Sequence, residues 1–133
     1  MKDSKINVII VDDNKEFCNI LYEYLSNQRY IVVTGVANNG IETLKLIEEK
    51  KPGLVVLDII MPILDGLGVL ERLNTIDLDP KPYIIVLSAV GQYKITQRAI
   101  SLGAAYYVVK PFDMDVLVRR IRQILNNITI VTM

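Results

Sequence analysis

The sequence has no histidine and no tryptophan, and only one cysteine, Cys18. Without histidine there is no Ser-His or Cys-His activation of a nucleophile, no imidazole ligand for zinc, and no phosphohistidine on the chain itself. A lone cysteine excludes an intramolecular disulfide. With no basic-then-apolar leader at the N-terminus, it points to a cytoplasmic protein. Cys18, beside Phe17 and with no evident cation nearby, reads as a packing residue. Net charge is also lacking: 15 basic residues balance 15 acidic ones, so no global field draws in nucleic acid or anionic lipid. Long apolar runs are absent too. Val8 to Val11 and Ile84 to Leu87 fall far short of the roughly 20 residues that a bilayer-spanning helix needs, so no membrane association is expected. The available chemistry is that of carboxylates, hydroxyls, lysines and backbone.

The 133 residues, 51% of them hydrophobic, suit one domain with a single core. Five short apolar runs rich in β-branched residues read as strands: Ile6 to Val11, Ile31 to Ala37, Leu54 to Leu57, Tyr83 to Leu87 and Ala105 to Val109. The first, third and fourth are nearly continuous in apolar residues, as parallel strands covered on both faces are. Helical spacing fills the gaps, most clearly in Phe17, Ile20, Leu21, Tyr24 and Leu25. It returns in Leu44 and Ile47, in Leu67, Leu70 and Leu73, weakly in Ile95, Ala99 and Ile100, and in Leu117, Ile121, Ile124 and Leu125. Alternating strands and helices predict an α/β doubly wound parallel sheet of flavodoxin-like type, with strand order 2-1-3-4-5. The domain spans 1–125. Residues 126–133 lose helical character and read as the start of a linker or C-terminal tail.

In such sheets function gathers outside the carboxyl ends of the strands. There the first run ends in Asp12-Asp13, the third in Asp58, the fourth in Ser88 and the fifth in Lys110-Pro111. Taken singly, each has a plain explanation: a helix cap for Asp12, Asp13 or Asn14, a turn carboxylate, a small strand-end residue, a solvated lysine. Together on one rim they imply a site. Three carboxylates within about 5 Å repel by roughly 3 kcal/mol per pair at an effective dielectric near 20, so they call for a cation. A hard divalent ion suits Asp13 and Asp58 as direct ligands, Asp12 through a water, and the backbone carbonyl of Ile60. Magnesium, manganese and calcium are all hard divalent ions that take such oxygen ligands. Asp58, on the central strand, is the natural phosphoryl acceptor, with Lys110 and Ser88 serving the phosphoryl oxygens. A cis bond is expected at Lys110-Pro111.

This set, with Met61-Pro62 and Asp65-Gly66 after Asp58, Ala89 after Ser88 and Phe112 after Lys110-Pro111, resembles the response-regulator receiver family of two-component signalling. The resemblance covers residues 6 to 125. It implies a (βα)5 fold and magnesium-dependent phosphorylation of Asp58 by a phosphohistidine donor, either a phosphotransfer protein or a sensor histidine kinase. It further implies a switch relayed through Ser88 and Tyr107, a phosphorylation-dependent homodimer, and a regulatory rather than enzymatic role. Runs such as Leu57-Asp58-Ile59-Ile60-Met61-Pro62 and Lys110-Pro111-Phe112-Asp113-Met114 are similar to the receivers of sporulation transcription factors. That likeness implies output through a DNA-binding domain that this chain does not contain. Val90 stands where other receivers are often acidic, and Gln92-Tyr93-Lys94 replaces the more acidic start of the fourth helix expected of the sporulation receivers.

Other readings are a stand-alone receiver or phosphorelay intermediate, a flavodoxin-like binding module, and an aspartyl phosphatase. A binding module needs a phosphate-cradling loop where Asp12-Asp13-Asn14 stands. A phosphatase needs a second acid where Ile60 stands. The face built from the fourth helix, fifth strand and fifth helix, carrying Ile95, Tyr107 and Arg119, is the expected dimer surface.

Overall fold

The computed structural model describes residues 5–132. Strands β1 (Ile6–Val11), β2 (Ile31–Ala37), β3 (Leu54–Asp58), β4 (Tyr83–Ala89) and β5 (Tyr106–Lys110) alternate with helices α1 (Lys15–Ser26), α2 (Gly40–Lys50), α3 (Gly66–Leu73), α4 (Tyr93–Ser101) and α5 (Met114–Thr132). The strands form one parallel sheet in the order β2-β1-β3-β4-β5, as the alternation predicts.

Side-chain alternation divides the core into two layers. Val8 and Ile10 of β1, Leu54 and Val56 of β3, and Ile85 and Leu87 of β4 pack against Leu21 and Leu25 of α1 and Leu117, Ile121 and Ile124 of α5. Ile9 and Val11, Val55 and Leu57, and Ile84 and Val86 meet Ile47 of α2, Val69, Leu70 and Leu73 of α3, and Ala99 of α4. Every residue of β3 is buried, which is why its run shows no polar alternation.

The tail departs from expectation. Residues 126–132 continue α5 instead of leaving it. Ile128 falls four residues after Ile124 and packs against the same layer. β-Branched residues weaken a helix by only about 0.5 kcal/mol each, so one more packed turn outweighs their propensity. Residue 133 lies outside the described residues.

Two glycines hold backbones close together around the third βα loop. A Cβ on Gly40, the first residue of α2, would overlap the Leu64 carbonyl oxygen and lie 2.7 Å from Leu64 Cβ. A Cβ on Gly66, the first residue of α3, would lie 2.7 Å from the Asp58 carbonyl oxygen. Gly40→Ala is therefore expected to destabilise the fold by about 2–3 kcal/mol, because backbone has to move to relieve the overlap. A urea midpoint shift at unchanged slope would show it, and a midpoint equal to wild type would refute the close approach.

Candidate functional site

Strand registers place the polar strand ends side by side. Val11 pairs with Leu57, so Asp12 comes next to Asp58 across β1 and β3. Asp58 pairs with Leu87, and Ser88 and Ala89 pair with Val109 and Lys110. Asp58 is the last residue of β3 and Ser88 the last but one of β4, so both lie within strands that run past the predicted apolar runs. All the rim residues predicted from sequence therefore share one edge, with Tyr107 further down β5.

Carboxylate oxygens of Asp12, Asp13 and Asp58 all lie within 4.8 Å of one another. Asp12 and Asp58 are buried, at 1% and 8% exposure, while Asp13 faces solvent. Lys110 Nζ sits 2.6 Å from Asp12 Oδ2 and 3.8 Å from Asp58 Oδ1. The Lys110-Pro111 peptide is cis, as expected, and so is Asp79-Pro80. Asn14, not Asp12 or Asp13, caps α1: its Oδ1 accepts the Phe17 N–H at 3.0 Å. That division of labour leaves both aspartates facing the cluster. Asp12 Oδ1 accepts the Asn14 N–H at 2.9 Å, and the Asp12 carbonyl accepts the Asn38 amide at 2.8 Å and the Cys18 thiol at 3.3 Å.

Burial, and next the Asp12 charge, push the Asp58 carboxyl up to about 6; Asp13 adds to this, and the Lys110 ammonium and the Ile60 N–H oppose it. One lysine thus compensates three carboxylates only in part, and an oxygen-preferring divalent cation suits the remainder. Cys18 is held as a thiol: burial, then the Asp12 charge, raise it to about 11, so it packs and donates.

Ser88 is buried at 2%, while Tyr107 is 52% exposed. Between them a cavity of about 640 Å³ opens against α4, lined by Val90, Tyr93, Thr96, Ile100, Tyr107 and Val109. Ile95 does not line it. It is half-buried against the α2–α4 layer, so the exposed apolar residues of this face are Tyr93, Ile100, Tyr107 and Val109, with Arg119 exposed on α5. Sequence reasoning missed Asn14 and Asn38 as anchors of Asp12. Asn14 was legible only as one of three possible caps of α1, not as a backbone donor to Asp12. For Asn38, 26 residues from its acceptor, no local signal exists.

A carboxylate cluster facing one lysine, at the carboxyl edge of a sheet with this strand order, is suited to a divalent cation or a phosphoryl group. The chain belongs to the response regulator receiver domain family, whose pattern matches residues 8–122. It is similar to a signal receiver domain of Mycobacterium tuberculosis described as that of the response regulator NarL, with 26% identity and a TM-score of 0.84 over 92% of this chain and 98% of that one. The response regulator domain of Thermotoga maritima CheB gives 27% identity and a TM-score of 0.82 over 92% and 97%. The receiver domain of AraT from Geobacillus stearothermophilus shares the fold, at 24% identity and a TM-score of 0.84 over 96% and 98%. This is a regulatory receiver domain of a two-component response regulator, and membership implies a phosphodonor partner. Among the described residues no helix is long and apolar enough to cross a membrane.

Proposed function

We propose that Asp58 is the phosphoryl acceptor. The observation that carries this is its place within 4.8 Å of the Asp12 and Asp13 carboxylates with Lys110 alongside. A carboxylate oxygen of Asp58 forms the new P–O bond as the N–P bond of a donor phosphohistidine breaks. The electron pair of the broken bond leaves on the donor's imidazole, which takes up a proton. Asp13, Asp58 and the Ile60 carbonyl would hold magnesium, with Asp12 acting through a water. When bound, the ion neutralises the carboxylates and orients the phosphoryl oxygens. Lys110 meets one phosphoryl oxygen and Ser88 another. The pull on Ser88 is relayed to Tyr107, whose ring borders the cavity beside α4.

The output in this reading is a changed homodimer through the α4-β5-α5 face, where Tyr93, Ile100 and Tyr107 are exposed. In the cytoplasm this would switch a DNA-binding effector following the receiver in a longer chain. The motif runs around Asp58 and Lys110 resemble those of stage zero sporulation protein A, which supports control of transcription at the start of sporulation.

The test is intact-mass measurement after incubation with acetyl phosphate and magnesium. Wild type should gain one phosphoryl group and Asp58→Asn none. An equal gain in both proteins would sink the assignment.

A further inference from the structure

Lys110 has two kinds of partner. On one side are the carboxylates. On the other the ring of Phe17 lies under the ammonium, with Nζ 4.6 Å from the ring centroid. That distance is within the range at which the negative face of an aromatic ring attracts a cation. Phe17 is not placed there loosely. Its backbone N–H is fixed by the Asn14 cap, its ring meets Phe112 edge-on at 6.2 Å and 88°, and it packs against the α1–α5 core layer. Phe112 itself follows Lys110-Pro111 in the chain, so both ends of the aromatic pair are tied to the rim.

We infer that Phe17 is a positioning residue for Lys110, holding the ammonium at the rim through the face of its ring. The inference rests on the function proposed above, where Lys110 serves the phosphoryl group. Its reason is competition for Asp12. The shortest contact of Lys110 is with Asp12 Oδ2, at 2.6 Å, and Asp12 also belongs to the carboxylate cluster suited to a divalent ion. A cation drawing on Asp12 weakens its hold on the lysine. A phenyl ring has no charge for a divalent ion to withdraw, so it retains the lysine whether or not the carboxylates are engaged. A leucine at this position would fill similar space and cover the lysine stem, but would offer no quadrupole.

The experiment compares wild type, Phe17→Leu and Phe17→Tyr in two measurements: the rate of phosphoryl uptake from acetyl phosphate with magnesium, and the ¹³C relaxation of Lys110 Cε with and without magnesium. The leucine variant should slow uptake by about five-fold, the size of one partly exposed cation–π contact, while the tyrosine variant stays near wild type. Lys110 Cε should become more mobile in the leucine variant, most of all with magnesium present, and remain ordered in the tyrosine variant. Uptake by the folded leucine variant at the wild-type rate, or equal slowing in both variants, would overturn the inference. If wild type took up no phosphoryl group, the proposed function would fall. Relaxation would then decide alone, with equal Lys110 mobility in the leucine and tyrosine variants overturning the positioning role and a difference between them upholding it.

Discussion

At pH 8 and without divalent metal, Asp58→Asn is expected to be more stable than wild type by about 3 kcal/mol, even though it loses the proposed acceptor. The cause is the carboxyl held at about 6 by burial and by Asp12, against 3.8 as its ordinary value. Between these values the folded state binds more protons than the unfolded state, so stability falls as pH rises through this window and stays reduced above it. The difference between these two values corresponds to roughly 3 kcal/mol. Asparagine keeps the shape and can still accept the Ile60 N–H, yet it never ionises. Its advantage should shrink steadily from pH 6 towards pH 4 and nearly vanish below that. Urea titrations of both proteins across this range measure the difference directly, because groups common to both cancel. Magnesium should narrow the gap by stabilising wild type selectively, as any ligand that binds only the folded state does. A gap of the same size at pH 4 and pH 8 would show that charge at Asp58 is not its source.

In the proposed function, that repulsion is what would make the site usable as a switch. A carboxylate trio compensated in part by one lysine is higher in free energy than the same fold with the charge relieved. Metal binding and phosphoryl transfer, as proposed, would both act on the same oxygens. The fold supports the strain through rigid parts: β3 is buried throughout, Gly66 lets α3 abut the Asp58 carbonyl, and the Asp12 backbone is gripped by Asn38 and Cys18.

How much of this could be read from the sequence follows from the range of the interactions. Continuous apolar runs marked β1, β3 and β4 because burial on both faces is written into consecutive residues. The acids and the lysine were legible because each ends a strand, and the sheet rule brings strand ends together. Helix α4 was harder. Its nine residues bury only Thr96 and Ala99, too few to fix a face by spacing, and Ile95 was placed outward when it turns inward. The end of α5 was misjudged because propensity is local while the packing of Ile128 is tertiary. The amide of Asn38 and the ring of Phe17 reach their partners across different elements, and no periodicity encodes such crossings.

Removing the lysine should have the opposite effect to removing the acid. In Lys110→Met the stem remains, but Asp12 loses its 2.6 Å partner while 1% exposed, and Asp58 loses the ammonium 3.8 Å away that compensates it. Stripping one partner from a buried ion pair costs about 3–5 kcal/mol; with Lys110 itself 30% exposed the expected loss here is nearer 2–3 kcal/mol at pH 8 without metal. Because the loss comes from carboxylate charge, it should diminish towards pH 4, where Asp58 is protonated, and magnesium should recover part of it. Combining Lys110→Met with Asp58→Asn provides the sharper measurement. If the two groups act on one charge balance, the double variant is more stable than the sum of the single effects predicts, since the lysine has less to neutralise once Asp58 is gone. Strict additivity would mean that Lys110 serves Asp12 alone, and its proposed role toward a phosphoryl group on Asp58 would then lose its electrostatic basis.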